Sequence, residues 1–314
     1  MSNLTGVDYD YSPSRWSNRS KDANEIIVWH TQTLKKETDL ARTELRCILN
    51  IPVSDFNDHF IDIYLPKTCD PLNLENSFAK RAVKPVVFVY IHGGYWQYLS
   101  RAESAFMARS FCNENYIVIS VGYPLAPQAR MDQIIACVET SFSLILNWAK
   151  QHLFRVYVCG HSAGAHLAAI LLSINWLEKY SIPKDTFGGF FLISGVYDLQ
   201  PLVDTYINEP LRMTNEQAKS FSPMLYDSIF WSDLKYVPIL CICGEYDPPS
   251  FHEQNKKFGA KLRNLGFHNA EIETLSNDDH FTVIEQLQTK KSVLTSKIMD
   301  LIEQCLLDDS KIKS

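Results

Sequence analysis

The spacing of apolar and polar residues changes along the chain and divides it into two parts. In the first part an amphipathic stretch over 21–39 predicts a helix, and apolar and polar residues then alternate over 44–51 and 59–65. Alternation with a period of two is typical of strands that face solvent on one side. Because polar turn residues separate the two stretches, we expect an antiparallel strand pair. The polar segment 66–84 that follows predicts a loop.

In the second part, short and nearly continuous apolar runs alternate with longer helical patterns. Such runs predict strands that are covered on both faces, as in a parallel sheet with helices on either side. The predicted strands are 86–91, 116–121, 154–159, 190–194, 237–243 and 270–275. The predicted helices are 100–113, 132–152, 163–174, 251–265 and 281–305. The whole pattern favours an α/β fold, with one mostly parallel eight-stranded sheet and helices on both faces, in a single domain over 1–314.

Residues 198–235 interrupt this alternation. The segment breaks into short polar and aromatic pieces with no helical or strand period. We therefore interpret it as an insertion over one end of the sheet and a candidate lid.

Composition and charge exclude several classes of protein. Hydrophobic residues make up 46% of the chain and charged residues 21%, which excludes a mainly disordered protein. The 30 basic and 36 acidic residues give a net charge of -6 without a Lys/Arg-rich block, so neither a nucleic acid nor an anionic membrane is expected as a partner. No apolar run has the length of a membrane span.

Cysteine usage and the first residues favour a cytosolic protein. The eight cysteines match no zinc-binding spacing, and several stand in apolar runs. We therefore expect buried, reduced thiols. The polar first 19 residues lack the apolar core of a secretory signal.

The strongest chemical motif is a Gly-x-Ser-x-Gly pattern, Gly160-His161-Ser162-Ala163-Gly164, between a predicted strand and a predicted helix. A serine on such a sharp turn presents its hydroxyl at the carboxyl end of the sheet, and the two glycines remove Cβ atoms that would collide across the turn. Ser162 is therefore the predicted nucleophile. His161 and His166 lie too near in the chain to face its hydroxyl, and we interpret both as structural.

A second motif, His92-Gly93-Gly94-Tyr95-Trp96, directly follows the predicted strand 86–91. Adjacent glycines allow the main chain to approach a ligand closely. Acyl transfer needs N–H donors where negative charge develops on the carbonyl oxygen. We predict that the N–H groups of Gly94, Tyr95 and Ala163 form this oxyanion hole, and that His92 braces the loop by a hydrogen bond.

A serine nucleophile needs a base and an acid that orients the base. In this fold the chain order is Ser, then Asp or Glu, then His. Asp247, just past the predicted strand 237–243, is the predicted acid, with Glu245 as the alternative. His280, between the last strand and the last helix, is the predicted base.

The other histidines that follow the nucleophile are weaker candidates for the base. His252 falls inside a predicted helix, and His268 lies at the opposite edge of the sheet. Asp278 and Asp279, next to the predicted base, are interpreted as solvated turn residues. No metal or organic cofactor is expected, because a Ser-His-Asp triad needs none.

Taken together, these motifs resemble the α/β-hydrolase superfamily in its esterase and lipase branch. Esterases of the hormone-sensitive-lipase type carry a third glycine where this chain has Tyr95, whereas the segment from His92 to Trp96 is similar to the signature of the arylformamidase (kynurenine formamidase) family. The resemblance implies hydrolysis of N-formyl-L-kynurenine to L-kynurenine and formate, in tryptophan degradation, through a formyl-enzyme. It implies Ser162, Asp247 and His280 as the triad, and Gly94 and Tyr95 as oxyanion donors.

The resemblance also implies a small-molecule substrate, whose acyl group and amino-acid end would occupy different parts of the pocket. Tyr95 and Trp96 are predicted to narrow the acyl side, and His92, Gly93 and Trp96 are candidates for the pocket. Five side chains of 197–231 are candidates for the amino-acid end: Tyr206, Arg212, Phe221, Tyr226 and Trp231.

Two alternatives stay open at this point. One is a general carboxylesterase of the hormone-sensitive-lipase type, and the other is a catalytically silent binding protein of the same fold. The oligomeric state is also open, a homodimer included.

Overall fold

One eight-stranded sheet runs through the computed structural model, which describes residues 6–70, 85–227 and 234–312. The strands are β1 Arg46–Pro52, β2 Phe60–Leu65, β3 Val86–Ile91, β4 Ile117–Val121, β5 Arg155–His161, β6 Phe187–Ile193, β7 Ile239–Gly244 and β8 Ala270–Leu275. Their order across the sheet is β1-β2-β4-β3-β5-β6-β7-β8. Strand β2 pairs antiparallel with β1 and β4, and the other pairs are parallel. The predicted mostly parallel sheet of eight strands is confirmed.

The sheet is covered on both faces. The helices are α1 Val7–Asp10, α2 Ala23–Glu44, α3 Ala108–Asn113, α4 Met131–Gln151, α5 Ala163–Leu172, α6 Trp176–Tyr180, α7 Asn208–Leu211, α8 Asn215–Ser220, α9 Pro249–Asn264, α10 Thr282–Glu285 and α11 Val293–Ile312. Every side chain of β3 is buried, and successive residues point to opposite faces: Val87 packs into a core with α4 and α5, and Phe88 into a second core with α2, α3 and α11. Continuous apolar strands such as β3 are what a sheet between two helical layers requires.

Strand order brings the two motifs together. Within the sheet, β4 lies on one side of β3 and β5 lies on the other side of β3. The carboxyl ends of β3 and β5 are therefore neighbours. Ile91 at the end of β3 pairs with Gly160 at the end of β5. Such a reversal of strand order opens a crevice at the carboxyl edge of a parallel sheet. The glycine-rich loop after β3 and the serine turn after β5 therefore border the same crevice.

Two predicted helices are interrupted by contacts from elsewhere in the chain. The prediction of a continuous helix over 100–113 is wrong: a 3₁₀ turn, Arg101–Glu103, is separated from α3, because the N–H of Ala105 donates to the Thr38 hydroxyl of α2. The prediction of one helix over 281–305 is also wrong. Its first part ends in a 3₁₀ turn, where the Gln286 carbonyl accepts bonds from the hydroxyls of Ser292 and Thr295 before α11 begins.

The candidate lid contains short helical pieces. Its described part, 198–227, forms α7 and α8 and two 3₁₀ turns, Gln200–Leu202 and Pro223–Leu225. Residues 228–233 of the same segment, and 71–84 of the predicted loop, lie outside the described residues. The role of the segment as a lid stays a prediction.

Candidate active site

Ser162 lies on the turn between β5 and α5 in a strained conformation. Its φ of 53° and ψ of -117° are outside the regions that residues with a side chain normally adopt. A Cβ at Gly160 would lie 2.2 Å from the Gly164 carbonyl oxygen, and a Cβ at Gly164 would lie 2.1 Å from that of Ile91. Only glycine fits at both positions, so the spacing of the motif follows from the tightness of the turn.

Asp247 and His280 form a buried pair. The imidazole Nδ1 donates to Oδ1 of Asp247 at 2.6 Å, and each residue is 3% exposed. The second carboxylate oxygen, Oδ2, accepts from the Ser194 hydroxyl at 2.6 Å and from the Gly244 N–H at 2.8 Å. Because Nδ1 carries the donated hydrogen, Nε2 of His280 keeps its lone pair and can accept a proton.

His280 and the serine open on the same cavity, which has a volume of about 740 Å³. Ser162, His280, Gly94 and Tyr95 all line it. The Nε2–H of His161, the residue before the serine, donates to the His280 carbonyl at 2.8 Å. The loop that carries the base is thereby tied directly to the turn that carries the nucleophile.

The alternative acid and bases occupy other positions. The Glu245 carboxylate accepts from the Asn277 N–H at 2.7 Å and is exposed. Nδ1 of His252 lies 3.2 Å from the Cys243 sulfur, and His268 is exposed in the turn before β8. Neither histidine lines the cavity of Ser162, and it is Asp247, not Glu245, that accepts the hydrogen bond from Nδ1 of His280.

The loop after β3 offers main-chain donors to the cavity. Gly94 has a φ of 97°, and a Cβ there would lie 2.3 Å from the Tyr98 carbonyl oxygen. Within the described residues, the N–H groups of Gly94, Tyr95 and Ala163 donate to no protein acceptor. They are therefore free to receive a ligand oxygen, as an oxyanion hole requires.

His92 and Gly93 support this loop from below. The His92 ring stacks on Tyr123 at a centroid distance of 4.1 Å, and its Nδ1 donates to the Gly93 carbonyl at 2.9 Å. Burial lowers the pKa of His92 to about 4, against the raising effect of that hydrogen bond. A Cβ at Gly93 would lie 3.1 Å from the Cβ of Ser162, so glycine lets the loop approach the serine turn. Neither residue lines the cavity.

His161 and His166 have structural contacts. Nε2 of His166 donates to the Phe221 carbonyl at 2.7 Å, as Nε2 of His161 does to that of His280. Burial lowers the pKa of His166 to about 4. Burial also holds the pKa of His161 well below its usual value, and protonation of the neighbouring His280 or His30 would lower this pKa further. Both rings are therefore neutral braces at ordinary pH.

The structure does not place Trp96 on the cavity wall. Its side chain is 0% exposed and meets the His166 ring edge-on at 5.0 Å. Tyr95 lines the cavity, whereas the neighbouring indole enters the core. The expectation that Trp96 narrows the acyl pocket is replaced by a role in packing.

Trp96→Ala is expected to lower the free energy of unfolding by about 3–5 kcal/mol, because it removes a large, fully buried side chain. Urea unfolding measures this change. Tyr98→Ala, in the same loop but with its ring 67% exposed, is the control and should change stability by roughly 0.5 kcal/mol or less. The ratio of activity on p-nitrophenyl formate to activity on p-nitrophenyl acetate should stay the same in Trp96→Ala, and a changed ratio would contradict the packing role.

The N-terminal segment, residues 6–20, forms a wall of the site that the sequence pattern did not predict. Ser12 lines the cavity, and the Tyr95 hydroxyl donates to the Tyr11 carbonyl at 2.8 Å. Arg19 forms an ion pair of 2.9 Å with Asp279 beside the base. Aromatic residues in an otherwise polar stretch, such as the buried Tyr11, are the signal that could have indicated it.

The interpretation of Asp278 and Asp279 as solvated turn residues is wrong. They are 8% and 1% exposed. Burial raises the pKa of Asp279, but hydrogen bonds from the Ser17 hydroxyl and the Thr282 N–H, with the Arg19 charge, outweigh it and lower the pKa. The ionised carboxylate therefore anchors the N-terminal segment to the loop of His280.

One of the candidates for the amino-acid end faces the cavity. Tyr206 lines it, and its hydroxyl lies 2.9 Å from that of Ser12, which joins the candidate lid to the N-terminal segment. The cavity lining does not include Arg212, Phe221 or Tyr226. Trp231 lies outside the described residues.

A second cavity of about 720 Å³ is lined by two arginines that pair with one buried carboxylate. The buried Asp62 carboxylate pairs with Arg101 at 2.9 Å and with Arg42 at 3.3 Å, and it also accepts from the Asn50 N–H. The carboxylate is thus saturated by protein donors. This cavity offers no group comparable to Ser162 or His280.

Three further features concern metal binding, the state of the cysteines and membrane insertion. No three His, Cys, Asp or Glu side chains in the described ranges are placed to share a metal ion. All eight cysteines carry free thiols. Over the described part of the chain, every helix is too short or too polar to cross a lipid bilayer.

The chain is similar to known α/β-hydrolases in its sequence and in its fold. Residues 88–283 match a family model for the alpha/beta hydrolase fold. The chain is 37% identical to a kynurenine formamidase of Danio rerio over 94% of its own length and 95% of that protein, and 34% identical to one of Salmo salar over 96% and 97%. The structure of a hyperthermophilic esterase from Pyrobaculum calidifontis superposes with a TM-score of 0.67 at 17% identity, over 91% of this chain and 94% of that one, a likeness of fold alone. The glycine-rich loop, the serine turn and the Asp247–His280 pair all fall within the matched residues.

Proposed function

Because this chain belongs to the kynurenine formamidase family of α/β-hydrolases, and is therefore an arylformamidase, we propose N-formyl-L-kynurenine as its substrate. The products are L-kynurenine and formate, a step of tryptophan degradation. One observation carries the proposal: His280, held by a 2.6 Å hydrogen bond to Asp247, lines the same cavity as the strained Ser162.

The proposed reaction begins with attack of the Ser162 hydroxyl on the formyl carbon while Nε2 of His280 takes its proton. The carbonyl oxygen becomes an oxyanion, which accepts hydrogen bonds from the N–H groups of Gly94, Tyr95 and Ala163. Each such donor is worth about 3–4 kcal/mol of the barrier. The imidazolium is stabilised by the Asp247 carboxylate.

The C–N bond then breaks, and the proton on Nε2 of His280 passes to the aryl amine nitrogen as it leaves. This step produces kynurenine and a formyl ester on Ser162. A water molecule attacks that ester with the same imidazole as base, and formate departs as the proton returns to the serine oxygen. Atoms balance as substrate plus water giving amine plus acid, and His280 performs each proton transfer.

The cavity suits an aryl substrate with a small acyl group. Its volume of about 740 Å³ is in the range of small-molecule sites. Pro13, Ile27 and Phe281 contribute apolar wall, and the side chain of Tyr95 stands beside Gly94. An aromatic ring can be buried there while the formyl group meets the main-chain donors.

The proposal is tested by steady-state kinetics of the purified chain on N-formyl-L-kynurenine and p-nitrophenyl acetate, measured side by side. We expect a higher kcat/KM on the formamide, because the leaving aryl amine of that substrate fits the cavity, with weak turnover of the ester through the same oxyanion hole. A preference for the ester would favour a general carboxylesterase. No turnover of either compound, together with no labelling by a fluorophosphonate probe, would favour a silent binding protein.

We also propose a cytosolic location. Eight free thiols, six of them buried, are typical of proteins that fold in a reducing compartment. Assembly as a homodimer stays a prediction, which sedimentation of the purified chain would test.

A further inference from the structure

A second histidine–carboxylate pair lies in the cavity of Ser162, and the proposed reaction does not use it. His30 of α2 lines the cavity although it is only 4% exposed. Its Nδ1 donates to Oε1 of Glu285, at the end of α10, at 2.7 Å. The two residues are 255 positions apart in the chain, so the pair is a product of the fold.

The other ring nitrogen of His30 is available to a ligand. In the part of the chain that the structure describes, Nε2 has no protein partner, and the ring lies between Phe281, at a centroid distance of 4.9 Å, and His161, at 6.2 Å. Because Nδ1 carries the hydrogen donated to Glu285, Nε2 presents a lone pair. Burial lowers the pKa of His30 despite the opposing effect of the Glu285 carboxylate, so the ring is neutral and accepts a hydrogen bond.

The charges around His30 determine which ligand group it can receive. Behind it, the carboxylates of Glu285 and Asp279 share the single guanidinium of Arg19, at 3.4 Å and 2.9 Å. This leaves a net negative charge beside the cavity. The described residues that line the cavity include the carboxylates of Glu103 and Glu209 but no lysine or arginine. A cationic hydrogen-bond donor fits this environment, whereas an anion would require a buried, protonated His30.

We propose that His30, supported by Glu285, binds the α-ammonium group at the amino-acid end of the substrate. The inference rests on the proposed function, since the substrate named there carries this group and simple formanilides do not. The ammonium donates a hydrogen to Nε2 of His30, and the negative charge of Glu285 acts on it through the imidazole. His30 is thus a binding residue that selects amino-acid formanilides, and it touches neither the formyl carbon nor the leaving nitrogen.

The experiment compares two substrates that differ only in the amino group: N-formyl-L-kynurenine and 4-(2-formamidophenyl)-4-oxobutanoate. His30→Leu is expected to lower kcat/KM on formylkynurenine about 10- to 100-fold, the range of a hydrogen bond to a charged group. On the analogue without the amino group, kcat/KM should change by less than roughly threefold, since that contact is absent. Titration of Ser162 with a fluorophosphonate corrects both values for the competent fraction of enzyme.

A second variant and two kinds of control make the test decisive. Glu285→Gln keeps the acceptor for Nδ1 and removes the charge, so it should show the same selectivity at smaller size even if His30→Leu does not fold. His252→Gln, which removes a histidine that does not line the cavity, should leave the ratio of the two substrates unchanged. Equal losses on both substrates would assign His30 to structure and overturn the proposal, as would a selective loss in Glu103→Gln or Glu209→Gln without one in His30→Leu. If the unaltered chain hydrolyses neither formamide, the proposed function itself fails.

Discussion

Ser162→Ala is expected to lower kcat on the formamide substrate about 10⁵- to 10⁶-fold, the loss seen when the nucleophile of a serine hydrolase is removed. Alanine lacks the attacking oxygen but keeps the Cβ, so the strained turn with φ of 53° meets the same steric limits as before. The N–H bond from this residue to the Ile193 carbonyl also stays. Thermal unfolding of the variant should therefore match that of the parent while turnover, followed by kynurenine absorbance, falls to the background.

The control is Ser173→Ala, at the end of the same helix α5. The hydroxyl of Ser173 donates only to the Ile170 carbonyl, so its removal should leave kcat within about twofold, as expected for a surface substitution. Labelling by a fluorophosphonate should persist in this control and vanish in Ser162→Ala. Turnover near the parent value in a pure sample of Ser162→Ala would exclude a serine mechanism.

The parts of the fold that sequence predicts best are those set by local signals. Strands β3 and β8 begin and end where the pattern indicates, because every residue of β3 is buried and the half-exposed Ala270–Leu275 is bounded by turn residues. The interrupted helices are different. The break before α11 depends on two hydroxyls meeting the Gln286 carbonyl. A helical period contains no information about such tertiary contacts.

The same distinction applies to the site. The tight turns at Ser162 and Gly94 require glycine at fixed spacing, so a short motif predicts them. The pair of His30 and Glu285 depends on α2 packing across the loop of α10, which no local pattern encodes. Trp96 shows a third case: it follows Tyr95 directly, both have positive φ, and yet one side chain enters the cavity and the other enters the core. Adjacency in sequence therefore did not predict a shared role.

Asp247→Asn is expected to lower kcat about 10⁴-fold, because the amide would hold His280 in the wrong tautomer. Oδ2 of Asp247 accepts from the Ser194 hydroxyl and the Gly244 N–H, and the latter can only donate. The asparagine oxygen must therefore occupy the Oδ2 position, which turns its NH₂ group towards Nδ1 of the imidazole. Nδ1 would then become the acceptor and Nε2 would carry the hydrogen, so it could no longer take a proton from Ser162.

Two further variants separate this explanation from a general loss of charge. Glu245→Gln removes the neighbouring carboxylate, whose partner is the Asn277 N–H, and should change kcat by less than roughly threefold. Ser194→Ala leaves the Gly244 bond in place and should lower kcat by about tenfold, the value of one hydrogen bond to a charged group. Proton NMR provides the direct readout: the downfield Nδ1–H resonance of His280 should be present in Glu245→Gln and absent in Asp247→Asn. A resonance retained in Asp247→Asn, or a 10⁴-fold loss in Glu245→Gln, would show that another acid orients the base.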